Sequence, residues 1–185
     1  MKTIIIDPGH GGTDPGACAA GHKESVIALQ IAQMVGHFLR AAGHTTILTR
    51  ESDVFVGLPD RVKQVDSDDL FVSIHANAAA SASANGAETW YHGDIAESRN
   101  LADKVQHRLT LSGLFSSRGV KSDLDRYSTG FYVLRKSAAR GCKRCILVEA
   151  GFITNKNDCG VMINDQKQNL AASAIAEGII EYING

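Results

Sequence analysis

Three groups that can bind a metal or move a proton each follow a short apolar run of the chain. One run leads through a few residues to His10, the second leads directly to His75, and the third leads directly to Glu149. Short runs this rich in β-branched residues are typical of buried strands in a parallel or mixed sheet. Ligand sites of such sheets lie beyond the carboxyl ends of the strands. We therefore expect the two imidazoles and the carboxylate to meet at one edge, as in a metal-dependent hydrolase. The runs are Thr3–Ile6, Leu70–Ile74 and Cys145–Val148.

A pair of imidazoles suits zinc, and catalytic zinc usually takes three protein ligands. The identity of the third ligand stays open at this point. Glu24 opens the first predicted helix, close after the glycine-rich loop that contains His10, so it can fold back beside that histidine. Glu149 lies at a strand end, where a buried acid is costly unless something uses it. The residues alone do not say which glutamate binds metal and which moves protons. The candidate carboxylates are Asp7, Asp14, Glu24, Glu88 and Glu149.

Strands alternate with helices along the chain, which predicts an α/β three-layer sandwich with an open, mostly parallel mixed sheet flanked by helices. We expect one domain, residues 1–185, without internal repeats. The glycine-rich loop follows the first strand, and an Ala/Ser-rich loop at 78–85 follows His75. The predicted strands are Thr3–Asp7, Thr45–Thr49, Leu70–Ile74, Ala87–Tyr91, Phe131–Leu134 and Ile146–Val148. The predicted helices are Glu24–Ala42, Leu58–Val65, Ala96–Leu111 and Lys167–Ile183.

Composition excludes several classes of protein. The 19 Lys and Arg nearly cancel the 20 Asp and Glu, which argues against nucleic acid or an anionic membrane as partner. No segment approaches the roughly 20 apolar residues of a membrane span. No signal peptide is recognisable, so we expect synthesis in the cytoplasm and action after release or lysis. The four cysteines are then expected to be reduced, and Cys142 and Cys145 to be small half-buried thiols rather than a zinc knuckle or redox motif.

Other polar residues are less strongly indicated as members of the candidate site. Asp7 and Asp14 flank His10 and either orient it or organise a turn. Asn77 and Asn155 either contact substrate or cap loops. Arg61 and Arg135 either bind peptide carboxylates or pair with internal acids, and we expect the internal pairing. His22, close to Glu24, is a weaker candidate ligand, and we expect His37, His44, His92 and His107 to be solvated surface residues.

Eight short blocks occur in a fixed order from Thr3 to Tyr182, essentially the whole chain. They are Ile6–Gly12 with Asp14–Gly16, Glu24, Leu48–Arg50, Arg61, Ser73–Asn77, Gly86–Glu88, Tyr132–Arg135 and Val148–Asn155. In this order the blocks resemble the zinc-dependent N-acetylmuramoyl-L-alanine amidases of the amidase-3 type. A single block is weak evidence, whereas eight in order are very specific.

The resemblance implies a role for each site residue. One zinc ion would be held by His10, Glu24 and His75, and Glu149 would be the catalytic residue. The implied fold is an open mixed sheet flanked by helices, phosphorylase/hydrolase-like. The implied reaction is hydrolysis of the amide between the lactyl group of N-acetylmuramic acid and L-alanine in peptidoglycan. Residues 123–128 and the Ala/Ser-rich loop are expected to line the substrate groove.

The chain departs from the family at one place. Relatives commonly carry proline and alanine before the last strand, where this sequence has Arg144 and Cys145. The strand should tolerate both residues.

The sequence leads to three hypotheses about function. We expect a monomeric peptidoglycan hydrolase, either a phage-type endolysin or an autolysin released at lysis, since no wall-binding repeat is recognisable. A second hypothesis is a zinc amidohydrolase of another N-acyl amide or peptide. A third is a wall-binding module that has lost catalysis, against which the intact set of catalytic positions argues.

Overall fold

Eight strands and six α-helices alternate along the chain in the computed structural model, which describes residues 1–185. The strands are β1 Thr3–Pro8, β2 Cys18–Ala19, β3 His22–Lys23, β4 Thr45–Leu48, β5 Leu70–Asn77, β6 Ala87–Tyr91, β7 Ser117–Ser122 and β8 Cys145–Phe152. The helices are α1 Glu24–Ala41, α2 Leu58–Arg61, α3 Ala96–Leu111, α4 Tyr132–Ala139, α5 Lys156–Met162 and α6 Asp165–Asn184. One turn of 3₁₀ helix, Asp123–Asp125, follows β7.

The central sheet has six strands in the order β4-β1-β5-β8-β6-β7. The strands β4, β1, β5 and β8 are mutually parallel, β6 runs antiparallel to β8, and β7 is parallel to β6. This is the open, mostly parallel mixed sheet that the alternation of elements predicted. The strands that carry the apolar runs, β1, β5 and β8, are immediate neighbours, which brings their carboxyl ends to one edge.

Helices cover both faces of the sheet, so the predicted three-layer fold is confirmed. The helices α1, α3 and α6 bury the larger core of 30 residues, to which Ile4 and Ile6 of β1 contribute. The intervening Ile5 points to the opposite face, where a smaller core of 10 residues packs against α2 and α4. This alternation is the reason that the central strands are apolar at consecutive positions. None of the helices combines the length and apolar character that crossing a membrane would require.

The structure differs from the predicted elements in informative ways. The segment Phe131–Leu134, predicted as a strand, belongs instead to the start of α4, which buries Val133 and Leu134. A run of four apolar residues fits both the alternation of a strand and the period of a helix. Here the segment forms an amphipathic helix, whose next turn also buries Ser137. The strand β7 and the helix α5 were not predicted. The strands β5 and β8 continue beyond the predicted ends, so His75 and Glu149 lie within their strands.

The helices α3 and α6 cross at a glycine. A methyl group on Gly178 of α6 would lie 2.5 Å from the Cα and 2.8 Å from the backbone nitrogen of Val105 in α3. Backbone atoms cannot move away cheaply, so a side chain here would push the two helices apart. By contrast, Gly160 in α5 has nothing within 4 Å of the same position.

We predict opposite effects of alanine at these two glycines on the free energy of unfolding, measured by urea denaturation. Gly178→Ala should destabilise by about 1–3 kcal/mol because the added methyl overpacks the helix contact. Gly160→Ala, the control, should be neutral or stabilising by up to about 1 kcal/mol because alanine is the better helix former. Equal effects of the two substitutions would contradict the close helix contact.

Candidate metal centre

The carboxyl ends of β1, β5 and β8 place three chemically active side chains side by side. His75 of β5 and Glu149 of β8 are register partners across the parallel ladder. Partners in register project from the same face of a sheet, here the face that carries α2 and α4. His10 lies two residues beyond the end of β1, the next strand along. The three side chains therefore converge on one site.

Glu24 joins this group from outside the sheet, at the first residue of α1. Its Oε1 lies 2.9 Å from Nδ1 of His75 and 3.2 Å from Nε2 of His10, and it accepts a hydrogen bond from the N–H of Ala76 at 3.2 Å. Its Oε2 accepts from the N–H of Ala17 at 2.9 Å. The ligand atoms of the two histidines and Glu24 all lie within 4.8 Å of one another, a spacing that fits a metal ion.

The glycine-rich loop brings the backbone close to these side chains. Any side chain on Gly9 would overlap the imidazole of His75, and one on Gly16 would overlap Glu24 and His10. Gly16 also has a φ of 65° and His10 a φ of 58°, both in the left-handed region. For His10 this conformation costs roughly 1–3 kcal/mol. The surrounding contacts must therefore impose it.

Two buried arginines fix the loop by donating to its carbonyl groups. Arg61 donates to the carbonyl of Pro8 and to that of His10, both at 2.7 Å, and forms an ion pair with Asp7 at 2.9 Å. Arg50 donates to the carbonyl of Gly9 at 2.7 Å and to that of Pro8 at 3.1 Å. The prediction that Arg61 pairs with an internal acid is confirmed by this contact. No role was predicted for Arg50, because an isolated arginine in sequence gives no sign of burial.

The two aspartates that flank His10 have different partners. Asp14 lies 2.9 Å from Nδ1 of His10 through Oδ2, and its Oδ1 accepts from the N–H of Gly16. It both orients the imidazole and organises the turn, and it leaves Nε2 of His10 free to face Glu24. Asp7 does not contact His10. It accepts instead from Thr49 and Ser73, in addition to the ion pair with Arg61.

The cluster shifts the protonation of its members in opposite directions. The hydrogen bond to Glu24 raises the pKa of His10 to about 9, against an opposing effect of burial. Burial works to lower the pKa of His75, but the same carboxylate outweighs it and raises that pKa. Burial likewise opposes ionisation of Glu24, yet its hydrogen bonds from His10 and His75 hold the pKa well below its usual range. Glu24 is therefore ionised at neutral pH.

Glu149 differs from Glu24 in having no partner for one oxygen. Its Oε2 is buried and makes no hydrogen bond. Burial raises the pKa of Glu149 to about 7. A buried, unpaired carboxyl oxygen beside a histidine is costly to a fold and is found most often where chemistry requires it. Its antiparallel neighbour Glu88 is neutralised by Arg118 and Lys121 and points to no such use.

The site opens into a cavity of about 500 Å³. Its floor carries the histidines and glutamates, and its two walls are apolar and aromatic. One wall comes from the segment before α2, and the other from residues between the 3₁₀ turn and α4. From the predicted groove segments, Arg126, Tyr127 and Ala78 line the cavity. The residues of the walls are Phe55, Val56, Leu58, Arg126, Tyr127, Phe131, Tyr132 and Val133.

Several other predicted residues are placed away from the centre. Asn155 caps α5 through the N–H groups of Asn157 and Asp158, and Asn77 donates to Glu88. Only Asn77 of this pair lines the cavity. The guanidinium of Arg135 lies over the ring of Tyr132 and forms no ion pair, so the internal pairing predicted for it is wrong.

His22, a weak candidate ligand in the sequence, is not in the His-Glu-His cluster. The predictions for His92 and for the CxxC pair need correction. His92, predicted as a solvated surface residue, lies 3.0 Å from a carboxylate oxygen of the fully buried Asp123. Cys142 and Cys145 are fully buried free thiols rather than half-buried ones, and burial raises the pKa of Cys145 to about 12. An unreactive thiol of this kind gives no support to a redox motif.

Comparison with known proteins identifies the family. The family model of the amidase-3 type, described as N-acetylmuramoyl-L-alanine amidase, matches residues 4–181. The chain belongs to this family. It is 39% identical over 185 residues to the N-acetylmuramoyl-L-alanine amidase LytC of Bacillus subtilis, covering 98% of this chain and 35% of LytC. The chain thus spans about a third of the length of that relative.

Solved amidase structures have the same fold. The amidase AmiC2 of Nostoc punctiforme superposes with a TM-score of 0.88 at 34% identity, covering 100% of this chain and 98% of that one. An N-acetylmuramoyl-L-alanine amidase from Clostridium difficile 630 gives a TM-score of 0.89 at 31% identity, covering 100% and 97%. The likeness therefore extends over the whole domain that carries the His-Glu-His cluster.

We predict that metal binding near pH 7 displaces protons from the cluster. Imidazole binds a metal only in its neutral form, and a pKa of about 9 keeps His10 protonated at this pH, while the pKa of His75 is shifted in the same direction. Binding should release roughly one proton or more and should strengthen as the pH rises toward 9. Titration calorimetry in two buffers of different ionisation enthalpy measures the number released.

The control separates the cluster from other histidines. His75→Ala should lose stoichiometric metal by elemental analysis, whereas replacement of the exposed His37 of α1 should leave both metal content and proton release unchanged. A binding enthalpy that is the same in both buffers, or full metal content in His75→Ala, would contradict the assignment of the cluster as the metal site.

Proposed function

We propose that the chain is a zinc-dependent N-acetylmuramoyl-L-alanine amidase in which His10, Glu24 and His75 hold the ion and Glu149 is the catalytic residue. The observation that carries the proposal is the buried, unpaired Oε2 of Glu149 beside the His-Glu-His cluster. The family membership supports the reaction, and the cavity supports a substrate larger than a single amino acid. All four residues come from one chain, so a monomer would suffice.

The donor set fits zinc better than the other common divalent ions. Two imidazoles and one carboxylate form a catalytic zinc set, whereas calcium and magnesium prefer all-oxygen ligands. Zinc bound here would supply Lewis acidity, acidifying a water molecule and polarising the scissile carbonyl. Asp14 would hold the imidazole of His10 in the tautomer that presents Nε2.

Glu149 is placed to move the proton that amide hydrolysis requires. Its carboxylate would accept a proton from the attacking water and deliver it to the leaving alanine nitrogen. Burial raises the pKa of Glu149 to about 7 in the metal-free chain, which favours proton acceptance compared with an ordinary carboxylate.

The substrate we propose is peptidoglycan, cleaved between the lactyl carbonyl of N-acetylmuramic acid and L-alanine. Apolar and aromatic walls would contact the sugar and the peptide on either side of the bond, since such surfaces bind both the faces of sugar rings and alkyl groups. The polar floor would receive the amide. The cavity volume lies within the usual range for ligand sites, about 300–1,000 Å³.

We predict that digestion of purified peptidoglycan creates new L-alanine amino termini without new reducing sugar ends, and that a chelator abolishes the reaction. The two kinds of end are counted separately after labelling. New reducing ends would indicate a glycosidase, and binding without either product would indicate an inert wall-binding module. Amide cleavage confined to small N-acyl substrates would favour a different amidohydrolase.

We predict that Glu149→Gln keeps the fold and the metal but lowers turnover by roughly 10²–10⁴-fold, because the amide retains the shape of the side chain and cannot accept the proton. Turnover, metal content and circular dichroism are measured together. Glu97→Gln, an exposed change in the first turn of α3, is the matched control. Near-normal turnover of Glu149→Gln would remove Glu149 from the mechanism.

A further inference from the structure

The cavity contains one cation that has no anionic partner. Among the lining residues only Arg61 and Arg126 carry a fixed positive charge. Arg61 is buried and donates to Asp7 and to three backbone carbonyls. Arg126 is exposed and forms no ion pair, and the only hydrogen bond of its side chain runs from Nε to the hydroxyl of Tyr127 at 3.1 Å. The two terminal nitrogens of Arg126 are therefore free to bind an anion.

The guanidinium of Arg126 is held in place by aromatic rings. It lies 5.7 Å from the ring centroid of Trp90 and 5.4 Å from that of Tyr127. The ring of Phe131 packs edge-on against both of these rings, at 5.6 Å and 5.2 Å between centroids. Cation–π contacts of this kind orient a guanidinium without consuming its hydrogen-bond donors.

The segment that carries Arg126 is anchored at a buried carboxylate. Asp123 is fully buried and accepts hydrogen bonds from His92 and from the N–H groups of Gly93 and Phe131. The backbone carbonyl of Asp123 also accepts from the N–H of Arg126 at 3.2 Å. Both ends of the segment 123–131 are thus tied to one side chain, which limits how far Arg126 can move from the cavity.

The chemistry of the substrate says which part of it meets this cation. In a muramoyl amide the lactyl carboxyl is consumed in the scissile bond, so a glycan strand whose muramic acids all bear peptides has no free carboxylate of its own. Free carboxylates occur only in the peptide. A guanidinium presents paired N–H groups that match a carboxylate in geometry as well as charge.

We propose that Arg126 binds a carboxylate of the stem peptide and thereby makes the enzyme prefer peptides with free carboxylates over amidated ones. This inference rests on the proposed amidase function. Arg126 is then a specificity-determining residue on the peptide side of the cavity, and the wall formed by Phe55, Val56 and Leu58 is left for the neutral sugar.

The test compares one substrate in two charge states. Peptidoglycan stripped of teichoic acid is first N-acetylated to block existing amino groups. One half is then treated with carbodiimide and ammonium chloride, which converts free carboxylates to carboxamides, and the other half is mock-treated. The release of new L-alanine amino termini is followed over a range of substrate concentrations, which gives apparent KM and kcat for both.

We predict that the wild-type chain prefers the carboxylate form by about tenfold in kcat/KM, mainly through KM, as expected for one charge-assisted contact. Arg126→Gln should lower activity on the carboxylate form much more than on the amidated form, so that the two forms are cleaved with similar kcat/KM. Arg126→Lys, which keeps the charge without the fork, should retain part of the preference. Arg99→Gln, the same change at an exposed position of α3, should retain all of it.

The outcomes that overturn the inference are distinct from failure of the proposed function. Equal cleavage of both forms by the wild type, or an undiminished preference in Arg126→Gln, overturns the role of Arg126 while the amidase stands. An equal loss on both forms assigns Arg126 to support of the wall or of Glu149 and also overturns it. No new L-alanine termini from either form would refute the amidase function itself.

Discussion

The arrangement of the candidate metal centre depends on buried carbonyl groups that two arginines satisfy. Where the chain leaves β1, the carbonyls of Pro8, Gly9 and His10 turn away from the sheet ladder, and a buried carbonyl without a donor is costly. Arg50 and Arg61 supply the donors. Because these guanidiniums hold the backbone on both sides of His10, they also impose its left-handed conformation and hence the direction of its imidazole.

The same constraint couples the site to the rest of the core. Arg61 reaches the loop from α2 and is neutralised by Asp7, which accepts hydrogen bonds from Thr49, just after β4, and from Ser73 within β5. Side-chain hydrogen bonds thus link β1 to both of its neighbours in the sheet. Buried ionic networks of this type add little net stability, but removing one member leaves the others unpaired. Precision of geometry is the benefit.

The sequence predicted most of the sheet, because its central strands are apolar on both faces and short enough to be distinguished from helices. It could not separate Glu24 from Glu149 by physical argument, since the difference between them is how many donors surround each carboxylate in three dimensions. The strand predicted at Phe131–Leu134 was wrong because four consecutive apolar residues fit the period of a helix as well as that of a strand. The helix α5 had a usable signal in Asn155, a residue typical of helix N-caps. The edge strand β7 had none, since its residues are mostly polar.

The anchoring of residues 123–131 has a consequence for how the ligand range of this cavity can change. The segment is fastened through Asp123 to His92 and Gly93 at the end of β6, whereas the cluster of His10, Glu24 and His75 is held by β1, β5 and α1. One rim of the cavity therefore rests on a support that His10, Glu24 and His75 do not use. Loops of other lengths and charges could be grafted onto that support, changing which ligands the cavity admits while leaving the His-Glu-His cluster untouched.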